Sequence, residues 1–207
     1  MSRPRLVLAS QNVDKVAELR RILSESGVTV ELVGSDSFTD LPSVAETGVT
    51  FADNALLKAR AVAGATGLAA VADDSGLCAD ALGGMPGVLS ARWSGRHGDD
   101  RANLELVLGQ LHDIPDERRG AWFECAAALV LPDGLEQVAH GRWPGRLVRA
   151  PRGSNGFGYD PIFVPDGESR TSAEMTAQEK DAHSHRARAL RALVPALADL
   201  ILTGRLA

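Results

Sequence analysis

The apolar positions of the chain fall into two rhythms. "RLVLAS", beginning at Arg5, is a short continuous apolar run of the kind that forms a buried strand. "NVDKVAELRRILSESG" then spaces its apolar residues at the helical period, with Asn12 placed to cap the helix and Gly27 to end it. "TVELVG" predicts a second strand. A polar stretch from Ser35 to Gly48 leads to a helix over "TFADNALLKARAVAGATG", where Thr50 and Asp53 stand at capping-box spacing. "LAAVADDSG" predicts a buried strand that breaks at its acidic end. The glycine- and proline-punctuated loop "GGMPGVLSARWSG" and a helix from about Asp99 to His112 follow.

From Gly120 the pattern changes. "AWFECAAALVLPDG" and "EQVAHGRWPG" read as two strands of a hairpin, joined at Pro132-Asp133-Gly134. From about Thr176 the chain is helical again: Thr176 and Glu179 repeat the capping-box spacing, and "HSHRARALRALVPALADLIL" carries its leucines on one face. Pro195 should kink that last helix or restart it. With no internal repeat and no low-complexity linker, the chain is expected to be one α/β domain: a mixed twisted sheet flanked by helices, in two lobes around a central substrate cleft.

The totals narrow the setting. At 207 residues and 44% hydrophobic, the chain can bury a substantial core. No apolar run approaches the roughly 20 residues that span a bilayer, and "RLVLAS" is too short for a signal-peptide core, so a cytoplasmic protein without membrane contact is expected. Cys78 and Cys125 lie in apolar contexts without metal-site spacing and should be buried free thiols. A net charge of -5 argues against a nonspecific nucleic-acid binder, and an anionic ligand would need local cations or a metal. Lys15, Lys58 and Lys180 are the only lysines in a chain that otherwise uses arginine, which marks three places where a compact point charge could matter.

Several short stretches could carry chemistry. In "SQNVDK", Ser10 leaves the strand, Asn12 starts the helix and Lys15 stands one turn inside it, an arrangement suited to phosphate. The alternative is a capped surface helix with Lys15 paired to Glu18. In "ADDSG", Asp73 and Asp74 point different ways, so one carboxylate, taken as Asp74, can face a metal and water while the other holds the turn; an Asx turn is the rival reading. Glu46 is a second candidate metal ligand, and Asn54 and Lys58 share a polar helix face. Lys180 and "HSHR" bring cations and imidazoles to a helix start. "RGSNGFGYDPIF", with the only tyrosine, is either a loop around a flat ligand or a hairpin turn whose aromatics pack inward.

Taken in order, "SQNVDK", "ETGVTFADNALLKAR", "ADDSGLCADALGGMPGVLSARWSG", "GSNGFGYDPIF" and "EKDAHSHRARAL" resemble the Ham1-like inosine triphosphate pyrophosphatase family from end to end. The resemblance implies a single-domain, Mg²⁺-dependent, homodimeric enzyme that converts purine nucleoside triphosphates such as ITP, dITP and XTP to monophosphate and pyrophosphate. It places Ser10, Asn12, Lys15 and Lys58 around the triphosphate. Glu46 and Asp74 would serve the metal, with Asp74 also accepting the proton of the attacking water. Ser75, Lys180, His185 and Arg186 would contact substrate, and Phe157, Gly158, Tyr159 and Asp160 would line the nucleoside pocket. Apart from the resemblance, Arg186 can only donate; with Arg186 or a nearby backbone N–H directed at the C6 carbonyl of hypoxanthine or xanthine, adenine would meet donor with donor and ATP would be a very poor substrate. A Maf-like nucleotide pyrophosphatase of other base selectivity and a noncatalytic nucleotide-sensing module are the alternatives.

Overall fold

The computed structural model describes residues 3–10 and 12–206; Gln11, inside the first motif, lies outside the described residues. The chain alternates β1 (Arg5–Leu8), α1 (Val13–Glu25), β2 (Glu31–Gly34), α2 (Phe51–Thr66) and β3 (Ala69–Ala79). It continues with α3 (Asp100–Gln110), β4 (Gly120–Val130), β5 (Glu136–Leu147), β6 (Phe163–Pro165), α4 (Ala177–His183) and α5 (His185–Leu202). The strands form one mixed sheet in the order β2-β1-β3-β4-β5-β6. β1 runs parallel to β2 and β3, with Leu6 opposite Leu32 and Ala69, whereas β5 and β6 are antiparallel. The expected α/β class and mixed sheet are present.

The chain divides into two compact units. The first comprises residues 1–74, 125–141 and 186–207. Its core gathers Leu6 and Leu8 of β1, Val71 of β3, Ala127 and Leu129 of β4, Leu19, Ile22 and Leu23 of α1, and Leu190, Leu193 and Leu197 of α5. The alternate residues Val7 of β1 and Ala70 and Ala72 of β3 are buried too, so both faces of these parallel strands are covered, and Ala126 and Ala128 of β4 are buried as well. Each fully buried leucine contributes about 1.5–3 kcal/mol of transfer free energy. The second unit comprises residues 75–124 and 142–185, with Leu77, Val107, Phe123, Trp143, Tyr159, Ile162 and Phe163 in its core. Phe123 meets Phe163 edge-on at 4.7 Å between ring centroids.

The expected caps form. Asn12 accepts from the Lys15 amide at 3.0 Å, and Thr50–Asp53 and Thr176–Glu179 each close a full capping box. Two expectations need correction. β3 does not break at Asp73-Asp74; it continues to Ala79, because Leu77, Cys78 and Ala79 are buried and Gly76 lets Ser90 approach closely. A side chain at Gly76 would overlap Ser90 Oγ and the Gly87 carbonyl. The acidic pair is therefore mid-strand. The last helix does not restart at Pro195, which lies inside α5; the helical stretch is interrupted instead at Ser184, which is extended and returns its amide to the Lys180 carbonyl. Proline removes one ladder bond, and the buried leucines on either side of it, Leu193 and Leu197, keep the helix packed.

Candidate active site

Within the first unit, successive residues of β3 face opposite sides of the sheet, and Asp73 and Asp74 make separate contacts accordingly. Asp74 accepts from Asn54 Nδ2 at 3.0 Å and lies 3.4 Å from Lys58 Nζ. Lys58 donates to Glu46 at 2.7 Å, so one ammonium bridges both carboxylates expected to serve a metal. The sequence positions each partner: Asn54 and Lys58 lie one turn apart on α2, and Asn54 Oδ1 takes the Gly48 amide at 2.8 Å, which fixes the segment carrying Glu46. Asp73 is paired with Lys15 at 3.1 Å and with Arg186 Nε at 3.0 Å, and Arg186 Nη1 also bonds Glu18. Ser10 takes part in the approach to α1: its hydroxyl receives the Asn12 amide at 3.3 Å and its carbonyl accepts from Ser35.

Burial and charge give the two aspartates different acidities. Asp74 is raised above the ordinary carboxylate range: burial is the largest effect and Glu46 adds to it, outweighing Lys58, Lys15 and the Asn54 hydrogen bond. Burial also opposes ionisation of Asp73, but Lys15, Arg186 and Lys58 overcome it and hold this carboxyl far below its usual range. Burial disfavours the Lys58 ammonium, yet Asp74, Asp73 and Glu46 more than compensate, and Lys58 stays charged. Asp74 is thus the carboxylate tuned toward taking a proton, and Asp73 a permanent anion that anchors cations.

Glu46 and Asp74 also suit a hard cation. Both offer carboxylate oxygens around a positive charge, the Lys58 ammonium, and Mg²⁺ asks for one or two protein carboxylates with phosphate oxygens and water completing its shell. Among the described residues no cluster of three or more His, Cys, Asp or Glu could bind a metal by itself.

In the second unit the "RGSNGFGYDPIF" stretch lies in the long connection between the antiparallel strands β5 and β6 and leads to a short 3₁₀ turn at Asp160–Ile162, so it is an extended loop rather than a tight turn. Asp160 organises it: Oδ1 accepts from Ser172 at 2.8 Å, and Oδ2 accepts from the Phe157 amide at 2.9 Å and from Lys180 at 2.6 Å. Lys180 also lies 5.1 Å from the centre of the Phe157 ring. Gly156 has φ +72°, and a Cβ there would overlap Asp160, so the loop can close on this carboxylate only with glycine. Ser75 follows Asp74 in β3 and is half-buried.

Not every expected ligand presents itself. Phe157 and Gly158 are partly exposed. Tyr159 is buried in the second unit's core and donates its hydroxyl to the Ser90 carbonyl at 2.8 Å, so it is Phe157 that offers an aromatic face. His185 is buried and stacks on Phe123 at 4.8 Å. Arg186 is 2% exposed, with Nε donating to Asp73 and Nη1 to Glu18. Asp160 and Lys180 likewise act on the loop from the interior. Sequence reasoning passed over Glu18, Ser172 and Asp100 as site residues; Glu18 was visible only as a surface partner for Lys15, and the other two lie outside every motif.

A mixed α/β sheet carrying a buried carboxylate beside a shared ammonium, and a lysine in the first turn of a capped helix, is an arrangement suited to phosphate-bearing ligands. The Ham1 family profile matches residues 6–196. A dITP/XTP pyrophosphatase from Streptomyces avermitilis is 62% identical over 197 residues, covering 95% of this chain and 98% of that protein. The crystal structure of a nucleoside-triphosphatase / dITP/XTP pyrophosphatase from Mycobacterium abscessus, 62% identical, aligns with TM-score 0.75 over 92% of this chain and 99% of its own. The structure of a HAM1 protein from Coxiella burnetii, 42% identical, aligns with TM-score 0.85 over 95% and 99%. The chain belongs to the Ham1 family.

Proposed function

We propose that this protein hydrolyses noncanonical purine nucleoside triphosphates, ITP, dITP and XTP, to the monophosphate and pyrophosphate, and so removes them from the nucleotide pool. The observation that carries the chemistry is Asp74: a carboxylate raised above its usual range by burial, oriented by Asn54 and flanked by Lys58 and Glu46. Relatives named dITP/XTP pyrophosphatases support the substrate class.

In the proposed reaction Asp74 accepts a proton from water as the water oxygen bonds to the α-phosphorus and the bond from that phosphorus to the bridging oxygen breaks. Pyrophosphate leaves with that electron pair. Lys15, at the N-terminal end of α1, and Lys58 meet the negative charge that grows on the phosphates, aided by Ser10 and Asn12 at the same helix start. Glu46 and Asp74 would hold Mg²⁺, which supplies positive charge against the phosphate oxygens. Ser75 would contact the substrate beside Asp74. Phe157 and Gly158 would meet the nucleoside, supported by Tyr159, Asp160, Lys180 and His185, and Arg186 would contribute to base choice through the network that holds it. A homodimer acting in the cytoplasm completes the reading; no helix among the described residues is long and apolar enough to cross a membrane.

The test is a panel of ITP, dITP, XTP, GTP, ATP and pyrimidine triphosphates with and without Mg²⁺, with products identified by phosphorus NMR. ITP should give IMP and pyrophosphate, and ATP should be a very poor substrate. IDP with orthophosphate would place attack at the wrong phosphorus, preference for another base would favour a Maf-like enzyme, and binding without turnover would favour a sensor.

A further inference from the structure

We infer that Asp100, the first residue of α3, is a positioning residue for the nucleoside-binding loop. The inference rests on the proposed function of that loop, but the contact itself does not. Asp100 Oδ2 accepts the Gly158 amide at 2.8 Å across 58 residues of sequence. The rest of the loop is held from within: Asn155 bonds the Ala173 and Met175 carbonyls, the Phe157 amide bonds Asp160, and the Tyr159 hydroxyl bonds Ser90. Gly158 is where another element reaches the loop from the exposed side.

Packing does not do this job there. A cavity of about 510 Å³ lies between α3 and the loop, bordered by Asp100, Leu104, Pro151, Phe157, Gly158 and Pro161. Side chains that interdigitate fix a backbone through many small contacts, and a cavity wall has none of them on its open side. A single directional hydrogen bond then sets where the backbone sits. Gly158 has φ +61° and no side chain of its own to pack, so loss of the bond would free the peptide immediately following Phe157. α3 is suited to hold the acceptor still: Asp99 caps it through the Ala102 amide at 3.1 Å, and Leu104 and Val107 are buried in the second unit's core. The bond requires an acceptor atom at this place.

Asp100→Ala and Asp100→Asn test this, since Asp100 is exposed and both proteins should fold as the parent does. Amide exchange at Gly158, followed by NMR on the free protein, should speed up at least severalfold in Asp100→Ala and stay close to the parent rate in Asp100→Asn, which keeps an acceptor oxygen. KM for ITP should rise roughly two- to tenfold in Asp100→Ala, the range for losing one neutral-strength hydrogen bond, with kcat changed less than twofold and the Asn variant near the parent. Unchanged Gly158 exchange, or faster exchange with KM unaltered, would overturn the assignment. So would an Asn variant as impaired as Ala, which would point to charge at the helix terminus. If the parent does not turn over ITP, the functional reading of the loop fails, and the exchange rates still decide whether Asp100 holds Gly158.

Discussion

Asp73 and Asp74 are consecutive in one strand and are held by different cations: Asp73 by Lys15 and Arg186, Asp74 by Lys58. The separation follows from strand geometry, since a period of two sends neighbouring side chains to opposite faces. Two carboxylates on one face would raise each other's pKa and compete for the same lysine. Here one is fixed as an anion and the other is pushed by burial toward protonation. The strand has to continue past the pair for this to hold.

Asp74→Asn should separate activity from stability. The native state disfavours ionisation of Asp74, so removing its charge should leave the melting temperature unchanged or higher, with the Asn54 amide still able to find an acceptor oxygen. ITP turnover should fall by ~10²- to 10⁴-fold, the range for loss of a general base. Turnover near that of the parent at saturating Mg²⁺ would remove Asp74 from the role of base.

Gly76→Ala should destabilise the protein by about 1–3 kcal/mol, the usual result of forcing a methyl group into a filled site. The added carbon would overlap both Ser90 Oγ and the Gly87 carbonyl, and Ser90 is engaged, accepting from the Leu77 amide at 2.9 Å and donating to Gly87 at 2.6 Å. Thermal denaturation should show a drop of several degrees, at about 2–4 °C per kcal/mol for a chain of this size. An unchanged melting temperature would mean that the segment around Ser90 yields without cost.

These residues show how far the sequence could be read. Asn12, Thr50-Asp53 and Thr176-Glu179 announced their helices through local capping chemistry, which acts over a few residues and survives folding unchanged. Asp74, Glu46 and Lys58 were legible as candidates because unusual residue types clustered in short motifs, and the structure brings them to one ammonium. The continuation of β3 was not legible: "DDSG" has the composition of a turn, and what keeps it extended is Ser90, which lies 14 positions beyond Gly76. Tyr159 and His185 were expected at the substrate from the family resemblance; their burial rests on Phe123, Phe163 and Ser90, contacts that no local pattern encodes.

Glu179 makes the start of α4 sensitive to acid. The Thr176 amide, Arg170 and the Thr176 hydroxyl together lower its carboxyl from 4.5 to about 2. A carboxyl depressed on folding stabilises the native state above its unfolded value, and the contribution disappears as pH falls through the folded value. Amide protection at Glu179 and Lys180 should therefore decline between pH 4.5 and 2, and Glu179→Gln should abolish that pH dependence. A side-chain titration midpoint near 4.5 would show that the box does not hold the charge.

Arg186→Met tests two ideas that must be kept apart, because the guanidinium holds Glu18 and Asp73 in the interior of the first unit. Taking away one member of a buried ion network leaves uncompensated charge, at a cost of about 3–5 kcal/mol. Asp73 keeps Lys15, so the burden falls chiefly on Glu18, and Glu18→Gln in the same chain should recover part of the loss. Denaturant titration of the two single variants and the double variant measures that coupling; strictly additive losses would refute it. The folded double variant then permits the comparison of bases. The proposed part of Arg186 in base choice has a donor directed at the C6 carbonyl of ITP, where ATP has an amine, so on that proposal loss of Arg186 should narrow the ITP-to-ATP ratio of kcat/KM beyond any common decline, with Glu18→Gln alone as the reference. Equal proportional losses on both nucleotides would place base selection elsewhere and leave Arg186 as the structural partner of Asp73 and Glu18.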